Sequence, residues 1–148
     1  MKLKVFAWLL IQDRLNTGDM LVRRRCPIRD VNCVICQAQR ETREHLFFEC
    51  HFNTDCWSAL GIAWDRNLGL SSMLALAETV WNKPLYLEVV IICAWNIWKQ
   101  QNRKYFDGLD VDMQSWLAQF KSDIGILGCR VKPEHKSFLS SFVAGLRV

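Results

Sequence analysis

Cys33-Val34-Ile35-Cys36-Gln37-Ala38-Gln39-Arg40-Glu41-Thr42-Arg43-Glu44-His45-Leu46-Phe47-Phe48-Glu49-Cys50 is the stretch on which the reading of this chain turns. Its pattern is Cys33-x2-Cys36-x8-His45-x4-Cys50. A Cys-x-x-Cys turn aims two thiols at one point, and the second pair falls on or beside a short helix opened by Thr42. Three thiolates and one imidazole satisfy the tetrahedral preference of zinc, and soft sulfur disfavours magnesium and calcium. Protein fills all four positions, so the expected ion is a single structural zinc with no place for an activated water. His51, next to Cys50, is an alternative ligand, and Cys26 and Cys56 are outside candidates. A redox role for Cys33 and Cys36 would call for a thioredoxin-like βαβ setting, which the surrounding residues do not offer. A hydrolytic zinc would need an open position and a carboxylate base. Glu44 and Glu49 flank the ligands, but both read better as helix-surface charges.

Working outward, the pattern is helical. Gly and Pro number only seven and three in 148 residues, while seven Trp and eight Phe provide core material. Residues 2–15 read as one helix, and Thr17 as the N-cap of a short helix through Arg24. Asn53 is expected to cap a helix carrying Cys56, Trp57 and Leu60. Ser71 or Ser72 should open a helix to about Asn82. The longest periodic stretch is 85–106, with Gly108 as its stop. Asp110 is expected to cap a helix to about Leu127, and Pro133 to start a last one reaching Leu146. The fold class is therefore mainly α: a small zinc-stabilised helical domain over residues 1–65, then a helical extension over 66–148 that can pack on it.

Charge is unevenly placed. Residues 1–43 carry nine Lys or Arg against four Asp or Glu, a net +5, whereas the remainder is close to neutral at −1. Lys2, Lys4, Arg14, Arg23, Arg24, Arg25, Arg29, Arg40 and Arg43 are thus candidate phosphate contacts for RNA or DNA of low sequence specificity, set against a merely solvated basic face. Phe47 and Phe48 could stack on unpaired bases, although core packing around the metal is the favoured reading for both. Seven cysteines, an odd count, suit a reducing compartment better than a secreted disulfide scaffold. The apolar start Val5 to Ile11 has no small-residue cleavage site after it, and no apolar run spans a membrane. A nuclear or cytoplasmic, non-secreted protein is expected.

These residues also carry a resemblance. Lys4-Val5-Phe6-Ala7-Trp8-Leu9-Leu10, Arg14-Leu15-Asn16-Thr17, Leu21, Arg23-Arg24, Cys33-Val34-Ile35-Cys36, Glu41 to Cys50 and Trp57 resemble the reverse-transcriptase zinc-binding domain of plant LINE-type (non-LTR) retroelement polyproteins. Ala94-Trp95-Asn96-Ile97-Trp98-Lys99, Asn102-Arg103 and Phe106 are similar to the helical segment that follows it, so the likeness covers roughly residues 2–108. The resemblance implies zinc ligands at Cys33, Cys36, His45 and Cys50, with His51 standing where the family has proline. In such polyproteins the domain follows a polymerase and often precedes a ribonuclease H-like domain. This chain has no Tyr-x-Asp-Asp signature, and its Asp107, Asp110 and Asp112 sit at a helix start, where capping explains them. It reads as a fragment or a stand-alone derivative of such an element, without catalytic residues. An architectural or protein-interaction module, docking on a polymerase or other partner through the helix around Trp95 and Trp98, is the alternative.

Overall fold

The computed structural model describes residues 2–148. Seven α-helices and one π-helical turn occur among them, with no β-strand beyond an isolated antiparallel bridge between Asn32 and Arg40. The helices are α1 (Lys2–Ile11), α2 (Gly18–Arg23), α3 (His51–Ala59), α4 (Leu70–Trp81), α5 (Tyr86–Asp107), α6 (Met113–Gly128) and α7 (Pro133–Gly145), and the π turn is His45–Glu49. The expected mainly α class is what the described residues adopt.

Helix α5 organises the rest, because its buried residues take up about half its circumference rather than one narrow stripe. Val89, Cys93 and Ile97 have no exposed surface, and Gly108 stops the helix at φ 68°, a left-handed value that glycine adopts without strain. Helix α6 returns along it: Asn96 and Lys99 reach Asp123, while Arg103 reaches Ser115, the pairing order of antiparallel neighbours. Helix α7 closes on α6 through Leu139 over Gly128, and on the end of α4 through Phe138 and Phe142 against Trp81. On its other side α5 receives α1, with Phe6 edge-on to Trp95 at 5.2 Å, and the π turn, with Phe47 stacked over Trp98 at 6.3 Å. One buried apolar cluster runs continuously from Phe6 to Leu146.

Several boundaries differ from the expected ones for local reasons. Helix α1 ends at Ile11, because Asp13 takes a positive φ and Arg14 N–H bonds back to Leu9 O. Asp112 rather than Asp110 caps α6, accepting from the N–H groups of Gln114 and Ser115, while Asp110 pairs with Lys104. Gly69, not a serine, precedes α4, and no side chain caps that end. Thr17 does cap α2 as expected, its hydroxyl accepting from Met20 N–H.

A candidate metal centre

The first half of the centre is a tight knuckle. Cys33 N–H donates to Gln39 O at 2.8 Å and Gln37 N–H to Cys33 O at 2.7 Å, with Gln37 in the left-handed region. The bridge between Asn32 and Arg40 and the bond from Glu41 N–H to Val31 O pin its two ends together. Both cysteines consequently face the same side of the loop.

The second half comes from a departure from α-helical geometry. Thr42 accepts from His45 N–H at 3.0 Å and starts the turn, as its position suggests. Cys50 N–H then closes on His45 O at 2.8 Å, five residues back. In an α-helix of 3.6 residues per turn, residues five apart diverge by about 140° around the axis. The wider π turn reduces that divergence and brings His45 and Cys50 to one side. Widening leaves carbonyls without helical partners, and α3 satisfies them. Asn53 Nδ2 donates to Leu46 O, and Trp57 Nε1 donates to Phe47 O at 2.6 Å. Asn53 is therefore not the N-cap expected of it. It lies inside α3, fully buried, and serves the turn that precedes it.

Together these elements bring Cys33, Cys36, His45 and Cys50 into one group whose ligand atoms all lie within 4.8 Å of one another. Zinc–sulfur bonds of about 2.3 Å and a zinc–nitrogen bond of about 2.0–2.1 Å imply tetrahedral edges of about 3.8 Å between sulfurs and about 3.6 Å between sulfur and nitrogen. The Cys33–Cys50 sulfur separation is 3.9 Å, and Cys36 Sγ lies 3.3 Å from His45 Nε2. The donors thus have both the chemistry and the spacing for a single zinc ion. Residues 1–57 match the family model described as zinc-binding in reverse transcriptase. That match, with the four-residue group inside it, supports a reverse-transcriptase zinc-binding domain in this part of the chain. No curated protein and no solved structure matches the chain.

Electrostatics within this zinc-binding segment follow from the crowding of thiols. Cys33 is pulled down to about 5 by the hydrogen bond it shares with Cys50, helped by the backbone N–H groups of Cys36 and Ile35, with burial opposing. The same shared bond, followed by burial, pushes Cys50 up. One thiolate therefore makes the next expensive, and a divalent cation among them removes that penalty. His45 presents Nε2 to the group. Its buried Nδ1 has no hydrogen-bond partner, and the Glu49 carboxylate stands 3.9 Å away.

The other candidate ligands lie elsewhere. His51 is exposed at the start of α3, Cys26 is exposed beyond α2, and neither joins the group. Cys56 is buried against Met113 Sδ at 3.7 Å, where burial pushes its thiol well above the ordinary range. Phe47 and Phe48 are core residues, in contact with Trp98 and Trp57 respectively, so the base-stacking role considered for them is replaced by packing. Trp95 and Trp98 are covered from within the chain by Phe6 and Phe47.

The nine basic side chains divide into two groups. Arg23 pairs with Asp13 and Asp19 at 2.9 Å, and Arg40 with Asp19 at 2.7 Å. Arg43 donates to Leu10 O and Ile11 O, binding the last carbonyls of α1, and also pairs with Glu44. Lys2, Lys4, Arg14, Arg24, Arg25 and Arg29 are exposed and carry no ion pair among the described residues. Arg14 lies 5.6 Å from the ring centre of the exposed Trp8. Which cations the fold spends on its own carboxylates and carbonyls was not legible beforehand, because Asp13 lies 10 residues from Arg23, Asp19 lies 21 from Arg40, and Leu10 O lies 33 from Arg43.

Proposed function

We propose that Cys33, Cys36, His45 and Cys50 ligate one structural zinc ion, and that the resulting non-catalytic module contacts nucleic acid through its basic N-terminal third. The observation that carries the second half is the set of six exposed cations without ion pairs, Lys2, Lys4, Arg14, Arg24, Arg25 and Arg29, on a segment with net charge +5. Phosphate contacts by such groups are sequence-independent and release counterions. Arg23, Arg40 and Arg43 complete the candidate set but are held by intramolecular partners, so their share of binding is smaller. The absence of catalysis in this reading rests on the donor set, since three sulfurs and one nitrogen fill a tetrahedral ion and leave no position for water.

The reading extends to origin and organisation. The match over residues 1–57 and the resemblance reaching to about residue 108 support derivation from a plant LINE-type retroelement reverse transcriptase, acting in the nucleus or cytoplasm. A metal domain over 1–65 and a helical extension over 66–148 are the corresponding division of labour. No described helix is long and apolar enough to cross a membrane.

Titrating the zinc-loaded chain into labelled single-stranded RNA and DNA at several salt concentrations tests the proposal. Affinity should fall with salt, with a log–log slope of about −0.7 per phosphate contact on single strands. A salt-independent result, or no binding at 50 mM salt, would remove the nucleic-acid role. Val5, Trp8 and Ile11, all about half exposed along one face of α1, favour a protein-docking module as the second reading in that event.

A further inference from the structure

Between the loop after α2 and the C-terminal turns of α5 lies a cleft of about 600 Å³, within the range of small-ligand sites. Neither the metal nor the apolar core accounts for its composition. Its floor includes Glu41 and Gln101, which are buried, and its rim includes Tyr105 and Phe106, which are exposed. Phe106 is 74% exposed on the last turn of α5, edge-on to Tyr105 at 4.9 Å. Two adjacent aromatics thus stand in water at the mouth of a pocket whose walls are mainly apolar.

The buried floor centres on the Glu41 carboxylate. Glu41 receives the Gly18 N–H at 3.0 Å and the Gln101 amide at 3.2 Å on each oxygen, and no cation pairs with it among the described residues. Because a carboxylate only accepts, the Gln101 NH₂ must face it, which fixes the amide and leaves Oε1 as the buried atom without a partner. Of the side-chain donors, only Gln101 reaches Glu41 Oε2. A ligand that satisfies this floor brings two adjacent donors and a flat face for the aromatic rim. Among the common bases only guanine has neighbouring donors on its pairing edge, N1–H and N2–H₂. Adenine, cytosine and uracil set an acceptor beside their donor, and that acceptor would oppose the carboxylate. Cations suited to the attached phosphates flank the site: Arg24 bonds to Asn16 in the cleft wall, and Arg29 shares the adjoining depression with Tyr105.

We propose that this cleft binds one unpaired guanine of a single-stranded nucleic acid, read by Glu41 and Gln101 and stacked on Phe106. The proposal rests on the nucleic-acid reading above and adds a base preference to it.

Fluorescence anisotropy with the zinc-loaded full chain tests it, using labelled uridine 11-mers that carry a central guanosine, inosine or adenosine, and their DNA counterparts. The guanosine strand should bind about tenfold tighter than the adenosine strand, with inosine, which lacks the 2-amino group, between them. Phe106→Ala should weaken the guanosine strand about tenfold, because an exposed ring contributes stacking and not folding. Glu41→Gln should abolish the preference while zinc content holds. If the wild type binds all central bases equally, or Phe106→Ala has no effect, the guanine site is wrong. In that case, weakening by Arg25→Ala and Arg29→Ala would leave the general nucleic-acid role standing. Failure to bind any strand at low salt removes both.

Discussion

Withdrawing zinc should separate the melting behaviour of this chain by a calculable amount. The four ligand atoms lie within 4.8 Å of one another, and Cys33, Cys50 and His45 are almost wholly buried, so the site meets the conditions of a structural ion. Structural zinc in small domains binds with about 10–16 kcal/mol. A dissociation constant near 1 nM, about 12 kcal/mol, falls inside that range. With free zinc buffered about a thousandfold above it, the native state gains about 4 kcal/mol. For a chain of about this length each kcal/mol moves the midpoint by about 2–4 °C, so the zinc-buffered and chelated melts should differ by about 8–16 °C. Circular dichroism at 222 nm reads the difference. Cys36→Ser should lose the zinc and melt with the chelated wild type, while Cys93→Ser, remote in the core, should not. The gap also depends on pH. Cys50 is held protonated through neutrality and must ionise to bind, so affinity rises as pH increases and the gap narrows on acidification. Cys33, pulled down by the bond it shares with Cys50, contributes less of that dependence near neutrality. Coincident melts, together with full zinc content in Cys36→Ser, would refute the site.

Three further outcomes follow from particular contacts. Trp57→Phe keeps an aromatic side chain but leaves a void and Phe47 O buried without a donor, and should lower stability by about 1–3 kcal/mol with a parallel loss of zinc affinity in a chelator competition. Arg43→Ala removes the side chain that holds Leu10 O and Ile11 O, so it should cost about 1 kcal/mol in denaturant titration while changing nucleic-acid affinity less than Arg25→Ala does. Asp112→Ala should cost about 1 kcal/mol by uncapping α6, whereas Asp110→Ala should leave the melt unchanged.

What could be read beforehand was whatever depends on short range. The convergence of Cys33 and Cys36 was legible because a Cys-x-x-Cys turn fixes both thiols locally, and the compact spacing placed His45 and Cys50 nearby, but the π turn that brings that second pair to one side was not. Thr17, Gly108 and Pro133 were legible because a cap or stop acts within four residues. Choosing between Asp110 and Asp112 was not, since both are plausible caps and the decision came from Lys104 on α5 capturing the first. The role of Asn53 depended on a carbonyl freed by a turn whose widening no residue pattern announces. Glu41 was recognised only as part of a motif. Its place in a cleft with Gln101 requires the packing of α5 against the loop after α2, 60 residues away.

The π turn at His45–Glu49 makes helix phase and metal occupancy a single variable. Were the segment to relax into ordinary 3.6-residue winding, Cys50 would swing around the barrel of the helix and the imidazole and thiolate would no longer share a target. A one-residue insertion between them, which neither winding absorbs, should therefore act like removal of a ligand, although every donor is still encoded. The same insertion in the exposed 65–69 connection would add only a little slack.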